Sequence, residues 1–258
     1  MPGIDVNQLW TPSRALPNPQ ADQRAPVTNV RGGRYGEQYV LPLLSSKHVL
    51  ADEGSYFIAT TPTPGTGIAS TLSATFSDTV PLLYIQNNDS KSNPLGKRMY
   101  LDYIKLIVTV VPASGTNCRW ALKTDPQLRT FTANNTLAIV PTSPNADVAQ
   151  QSVCSVNAQN SGTASGLSAS SPAARVVALA SMGGIPVIND ELVLVCGSFD
   201  PGPYPGLTAA QATCGGRKVS GIPPVILGPN SALTAYIWFA SNASTALSYE
   251  LEMGWWER

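Results

Sequence analysis

The sequence is short of the residue types on which most catalytic and metal sites depend. Its 258 residues include one histidine, His48, so any mechanism that needs two imidazoles is excluded. A serine nucleophile of the Gly-x-Ser-x-Gly type is also missing. The four cysteines lie far apart without a Cys-x-x-Cys pair, which predicts free, mostly buried thiols and not a zinc site. These four are Cys118, Cys154, Cys196 and Cys214.

Charge is scarce as well. Lys and Arg together number 16, Asp and Glu also 16, and charged residues make up only 12% of the chain. A neutral total gives no cationic surface that would displace counterions from DNA or RNA, so we expect no nucleic-acid partner. The sequence has no apolar run of about 18 residues and no signal peptide at its start, so we expect no membrane partner and synthesis in a cytoplasm.

Acidic side chains are adjacent at Asp52-Glu53 and at Asp190-Glu191. Glycoside hydrolysis requires two carboxylates about 5–9.5 Å apart across a cleft. Neighbours on a strand point to opposite faces, and both pairs lie in sequences typical of turns. We therefore predict turns at these positions, and we expect no enzyme activity and no cofactor.

Proline and scattered apolar residues distinguish residues 1–50 from the rest. Proline favours extended backbone, so this segment is predicted to form an extended N-terminal arm. Its large side chains need a surface to pack against, either on the same chain or on a neighbouring subunit. Trp10, Tyr35 and Tyr39 are the candidate protein-contact residues of the arm.

Residues 51–258 consist of short β-prone runs separated by turn residues, which is typical of an antiparallel sandwich or barrel. In Met99–Val111, Tyr100, Asp102 and Ile104 are predicted to share one face. Ten strands are predicted: Ser55–Thr60, Leu82–Gln86, Met99–Val111, Cys118–Lys123, Leu137–Val140, Arg175–Ala180, Glu191–Cys196, Val225–Leu227, Ala232–Phe239 and Tyr249–Trp256.

The connections carry three further predictions. Leu227–Ser231 contains glycine, proline and asparagine, which predicts a hairpin turn. The Ser-, Asn-, Ala- and Gly-rich stretch between Pro141 and Pro172 is predicted to be a long loop on the outer surface or at a subunit contact. A stiffer insertion, 200–206, presents Tyr204 between prolines, and Tyr204 is the fourth candidate contact residue.

Several segments resemble virion structural proteins of tailed bacteriophages. The resemblance lies in residues 35–43, 51–60 and 62–67, and in the ending that includes 224–229, 235–239 and 252–258. It implies a capsid cement or decoration protein with a jelly-roll body that forms a homotrimer on the outer capsid surface of the virion. The implied partner is the major capsid protein, and the arm would clamp the shell or the adjacent protomer. The resemblance carries no catalytic residues.

Two other classes remain open. A receptor- or carbohydrate-binding component of a phage tail or baseplate would read sugars through exposed aromatic rings such as Tyr204 or Trp256. A sandwich-type hydrolase or cupin-like enzyme would need acidic or metal-binding side chains clustered in one pocket.

Overall fold

The computed structural model describes the predicted body of the chain in ten stretches. These are residues 50–70, 75–92, 96–111, 118–131, 136–147, 150–159, 166–181, 186–197, 217–239 and 247–258. The predicted arm, apart from Leu50, lies outside them. Leu50 belongs to a helical turn, and its carbonyl accepts hydrogen bonds from the Ser55 amide (2.9 Å) and hydroxyl (3.0 Å). Gly54 closes this turn at a φ of 71°, which glycine adopts without strain.

Thirteen strands run through these stretches. They are β1 (Tyr56–Thr60), β2 (Ile68–Ala69), β3 (Leu83–Asn87), β4 (Met99–Val110), β5 (Cys118–Asp125), β6 (Thr136–Ile139), β7 (Cys154–Gln159), β8 (Arg175–Ser181), β9 (Glu191–Cys196), β10 (Arg217–Ile222), β11 (Ile226–Leu227), β12 (Ser231–Phe239) and β13 (Ser248–Glu257). All ten predicted strands are present, with ends that shift by at most two residues. The sequence did not reveal β2, β7 and β10.

The strands form two sheets. Sheet 1 has the order β1-β13-β4-β9-β10, with β2 beside β13 and β11 beside β4, and sheet 2 has the order β6-β7-β3-β12-β5-β8. Neighbouring strands are antiparallel except for β9 and β10, which run parallel. The predicted all-β, antiparallel sandwich is therefore confirmed.

The pairing between strands is nested along the chain. β1 pairs with β13 and β4 with β9 in sheet 1, while β3 pairs with β12 and β5 with β8 in sheet 2. Early strands thus pair with late ones, and the pairs alternate between the two sheets. This is the connectivity of a jelly roll.

The core lies between the sheets, where the inward residues of both meet. β13 shows the predicted alternation, since Tyr249, Leu251, Met253 and Trp255 are all buried. The Trp255 ring lies 6.2 Å from that of Phe57 on β1. Among the described cysteines, Cys118 and Cys154 are buried and Cys196 is half-buried, and none of the three forms a disulfide, as predicted, whereas Cys214 lies outside the described stretches.

The predicted face of β4 is wrong at its beginning. Opposite β13, the register passes from Tyr103 to Leu101, so Asp102 is an extra residue at a β-bulge. The bulge turns Leu101 into the core beside Ile104 and leaves Tyr100 on the outer face. A strict two-residue period cannot anticipate such an insertion.

Two predicted connections are also wrong. The expected surface loop between Pro141 and Pro172 contains β7, in which Cys154, Val156 and Ala158 alternate inward. Because the inward residues of β7 are mostly small, its two-residue alternation was not apparent in the sequence. The expected hairpin at Leu227–Ser231 joins strands of different sheets, since β11 pairs with β4 while β12 pairs with β3 and β5.

No helix within the described residues is long and apolar enough to cross a membrane.

Candidate interaction surface

All four predicted contact residues lie outside the described stretches. Trp10, Tyr35 and Tyr39 belong to the arm, and Tyr204 belongs to the stretch between β9 and β10. Their roles stay predictions. The surfaces that the structure does describe are built from other residues.

A row of large side chains crosses the outer face of sheet 1. Tyr56 of β1 is opposite Trp256 of β13, which is opposite Tyr100 of β4. Tyr100 is in turn opposite Ile226 of β11. The Tyr100 and Trp256 rings are parallel, with centroids 5.6 Å apart, and Ile226 is 51% exposed. We call these four residues the aromatic row. The row lies at the end of the sandwich where Leu50 is located, which we call the Leu50 end.

The bulge in β4 supports the aromatic row from beneath. The Tyr56 hydroxyl donates a 2.9 Å hydrogen bond to Oδ2 of Asp102, the extra residue of the bulge. Burial, followed by the charge of Asp102, raises the pKa of Tyr56 far above its usual range. Tyr56 therefore stays a neutral donor. Its ring reaches Asp102 across Gly254, which has no side chain to obstruct it.

Replacing Gly254 with alanine is expected to destabilise the protein by about 1–3 kcal/mol. The new Cβ would lie 2.3 Å from the Tyr56 hydroxyl and 2.6 Å from Cε1 of Tyr103, so both rings would have to move. Urea denaturation of the two proteins measures the difference. Gly228→Ala is the matched control, because a Cβ there meets nothing within 4 Å. Equal losses in both variants would contradict this account of Gly254.

Beside Gly254, a carboxylate is held by two donors. Tyr103 donates a 2.8 Å hydrogen bond to Glu252, and the Lys105 ammonium lies 2.6 Å from the other oxygen. Burial would raise the pKa of Glu252, but the hydrogen bonds from Lys105 and Tyr103 outweigh it and hold that pKa below its usual value. Glu252 is therefore ionised at neutral pH, and its arrangement suits an acceptor and not a general acid.

The adjacent carboxylates singled out in the sequence lie in turns, as predicted. The Asp190 carboxylate accepts a 2.7 Å hydrogen bond from the Val187 amide, and Asn189 between them has a φ of 69°. Asp52 and Glu53 precede the left-handed Gly54. Asp52, Glu53 and Asp190 therefore lie at turns, and Glu191 begins β9.

A second surface lies on sheet 2, where β8 is one of the two edge strands among the described residues, β6 being the other. A register shift opposite Leu122 and Lys123 places Val176 and Leu179 on the same outer face. They are 51% and 70% exposed, and Arg175 is the only charged residue from 175 to 179. Soluble proteins usually protect such edges with charged residues or proline. We call Val176 and Leu179 the β8 strip.

A groove opens at the Leu50 end, next to the aromatic row. Its volume is about 400 Å³, and it begins at Ile226, the last residue of the row. Its lining residues come from strands of both sheets and from the connections between strands: Lys91, Thr124, Asp125, Pro126, Ala173, Ile226, Leu227, Gly228, Pro229 and Ser231.

A polar cluster joins three connecting segments, those that contain Asp78, Arg129 and Ser168, to the outer face of sheet 2. No pattern in the sequence indicated this cluster. Asp78 lies at its centre and binds the Lys123 ammonium at 2.7 Å and Arg129 Nη2 at 3.3 Å. Arg129 is 5% exposed and donates to the Tyr236 hydroxyl and the Ser168 carbonyl, both at 2.7 Å. Asp78 and Arg129 lie 51 positions apart in the chain, so neither carries a local signal.

Within the described stretches, no group of three or more His, Cys, Asp or Glu side chains is placed to hold a metal ion. Comparisons with protein-family models, with curated proteins and with solved structures found no match to this chain. The surfaces described above are therefore the features of this protein that bear on its function.

Proposed function

We propose that the chain is a phage virion structural protein, a capsid cement or decoration protein that binds and stabilises the major capsid shell. The jelly-roll body agrees with this proposal, because viral capsid domains frequently have this architecture. The same fold also serves lectins and cupins, so the fold by itself supports several functions. The exposed surfaces of the protein must therefore be used to distinguish between these functions.

The observation that carries the proposal is the β8 strip. An edge strand with a single charged residue, Arg175, and with Val176 and Leu179 exposed favours association with another protein, since a free monomer would risk uncontrolled strand pairing there. The aromatic row adds tyrosine and tryptophan, which are enriched where proteins make strong contacts. Both surfaces suit a protein that works in an assembly.

In this proposal the protein is a homotrimer on the outer surface of the capsid, and the arm, residues 1–50, extends its contacts. Linked contacts raise the overall affinity by about 10²–10⁴ without any single strong site. Trp10, Tyr35 and Tyr39 are the proposed contact residues of the arm.

Deleting residues 1–49 is expected to give a folded, soluble body that no longer binds expanded capsids. Leu50 is retained because its carbonyl accepts two hydrogen bonds from Ser55. Co-sedimentation with purified empty capsids measures binding, and circular dichroism checks the fold. We expect affinity to fall at least about 100-fold, the lower range of a multivalent gain.

A full-length variant with Trp10, Tyr35 and Tyr39 all changed to alanine is the matched control for chain length. It is expected to bind as poorly as the truncated protein. Undiminished binding by the truncated body would remove the arm from the proposal, and failure of the intact protein to bind capsids would overturn the proposed function.

Trp256 is the described residue through which the protein would bind a carbohydrate in the alternative function. Its ring is half-buried and stacked against Tyr100, and a sugar would bind the part of the ring that remains exposed. A purified protein that binds oligosaccharides and ignores capsids would favour this alternative.

A further inference from the structure

The groove at the Leu50 end combines apolar walls with one accessible charge. Its apolar lining residues are Pro126, Ala173, Ile226, Leu227 and Pro229. Its volume of about 400 Å³ falls in the range of about 300–1,000 Å³ that is typical of ligand sites. The groove is partly open to solvent, which suits a continuous chain better than an enclosed small molecule.

Asp125, the acidic residue of the groove, has its carboxylate occupied within the protein. Oδ1 accepts from the Gln127 amide at 3.0 Å and the Ser171 hydroxyl at 2.6 Å, and Oδ2 accepts from the Ser171 amide at 2.8 Å. Asp125 is only 2% exposed. The Asp125 carboxylate is therefore not available to accept a hydrogen bond from a ligand, and its buried charge offsets part of the positive charge of Lys91.

Lys91 is the cation of the groove, and it is held in position. Its ammonium donates a 2.7 Å hydrogen bond to the Pro126 carbonyl, which fixes the end of an otherwise flexible side chain. An ammonium group has three donors, so Lys91 can still donate to a ligand. Fixing the side chain in advance lowers the entropy that binding costs.

We propose that this groove binds an extended segment of another protein in which an apolar side chain is followed by a carboxylate. The apolar side chain packs between Ile226 and Pro126, and the carboxylate pairs with Lys91. The accessible ammonium of Lys91 and the apolar walls together select this chemistry. The inference goes beyond the proposed function, because it requires a protein segment but not that the segment belongs to a capsid.

The test uses the full-length protein labelled with ¹⁵N and two synthetic peptides, acetyl-Gly-Leu-Pro-Leu-Glu-Glu-Gly-amide and its Gln-Gln analogue. We expect NMR titration to move the amide signals of Lys91, Ala173 and Ile226. The acidic peptide is expected to bind about three- to fivefold more tightly than its neutral analogue, the size of an exposed ion pair.

Two variants complete the test. Lys91→Gln is expected to remove the preference between the peptides while leaving affinity for the neutral one unchanged, and Ile226→Ser is expected to weaken both. The native fold is checked from the remaining NMR signals. Shifts that avoid the groove, no shifts at all, or equal affinities of the unaltered protein for the two peptides would each overturn the inference. Capsid co-sedimentation is a separate measurement, so failure here leaves the proposed function standing.

Discussion

Replacing Asp78 with alanine is expected to lower the free energy of unfolding by about 3–5 kcal/mol, the usual cost of leaving a buried charge without its partner. Arg129 would be that charge, because its side chain is 2% exposed and Asp78 supplies the carboxylate at 3.3 Å. The same change removes the acceptor for the Ser170 amide, which bonds Asp78 at 2.9 Å. The connecting segments that contain Asp78, Arg129 and Ser170 would lose the carboxylate that holds them together.

Urea denaturation of the two proteins measures this loss. Asp147→Ala is the matched control, since Asp147 is exposed and surface changes of this kind usually stay within about 0.5 kcal/mol. Asp78→Asn keeps the volume and separates the loss of charge from the loss of packing. Equal stabilities of the Asp78→Ala and Asp147→Ala variants would show that the cluster contributes nothing.

The contribution of Asp78 also depends on pH. Burial would raise the pKa of Asp78, but the hydrogen bonds from Lys123 and Ser170 and the charge of Arg129 outweigh it and bring the pKa far below its usual value. A carboxyl whose pKa is lowered by folding stabilises the native state above its unfolded pKa of about 3.9. The difference between Asp78→Ala and the unaltered protein should therefore be complete near neutral pH and shrink as the solution is acidified below about pH 4.

Replacing Glu257 with alanine is expected to cost about 2–4 kcal/mol, because buried donors without acceptors cost about 1–3 kcal/mol each. Glu257 is 2% exposed and accepts hydrogen bonds from the Val153 amide and the Trp255 indole, both at 3.1 Å, and from the Ser152 hydroxyl. It ends β13 in sheet 1, whereas Val153 leads into β7 in sheet 2. The side chain thus joins the sheets.

Thermal and urea unfolding both report this change. Glu53→Ala, at an exposed position of the turn before β1, is the control for loss of a carboxylate. Glu257→Gln should recover part of the stability, since its amide oxygen can still accept from one of the donors. A Glu257→Ala protein as stable as the control would show that these hydrogen bonds make no net contribution to the free energy of unfolding.

The strands were predictable because their signal is local. In β13, alternate residues from Tyr249 to Trp255 are apolar, and the buried face of the strand follows directly. β7 gave a weaker signal, because Cys154 and Ala158 are small and their neighbours are polar. The bulge at Asp102 gave no signal, because it depends on the register that β4 adopts opposite β13.

The residues of the candidate surfaces also differ in whether the sequence could indicate them. The contact residues chosen from the sequence, Trp10, Tyr35, Tyr39 and Tyr204, are large side chains in proline-rich segments, and they remain predictions. Lys91 went unnoticed, because a lysine in a turn is usually a solvated charge. Only the approach of Pro126 from a distant part of the chain makes it part of a groove.

The sequence by itself determined that this is an all-β protein with ten of its strands in place, because hydrophobic alternation and turn residues act over a few positions. Its single histidine and unclustered carboxylates also set the expectation of a protein that binds and does not catalyse. The tertiary structure decided the nested pairing, the Asp78–Arg129 cluster, the aromatic row and the groove. Each of these joins residues that are distant in the chain, and their proximity depends on which strands pair and in which register.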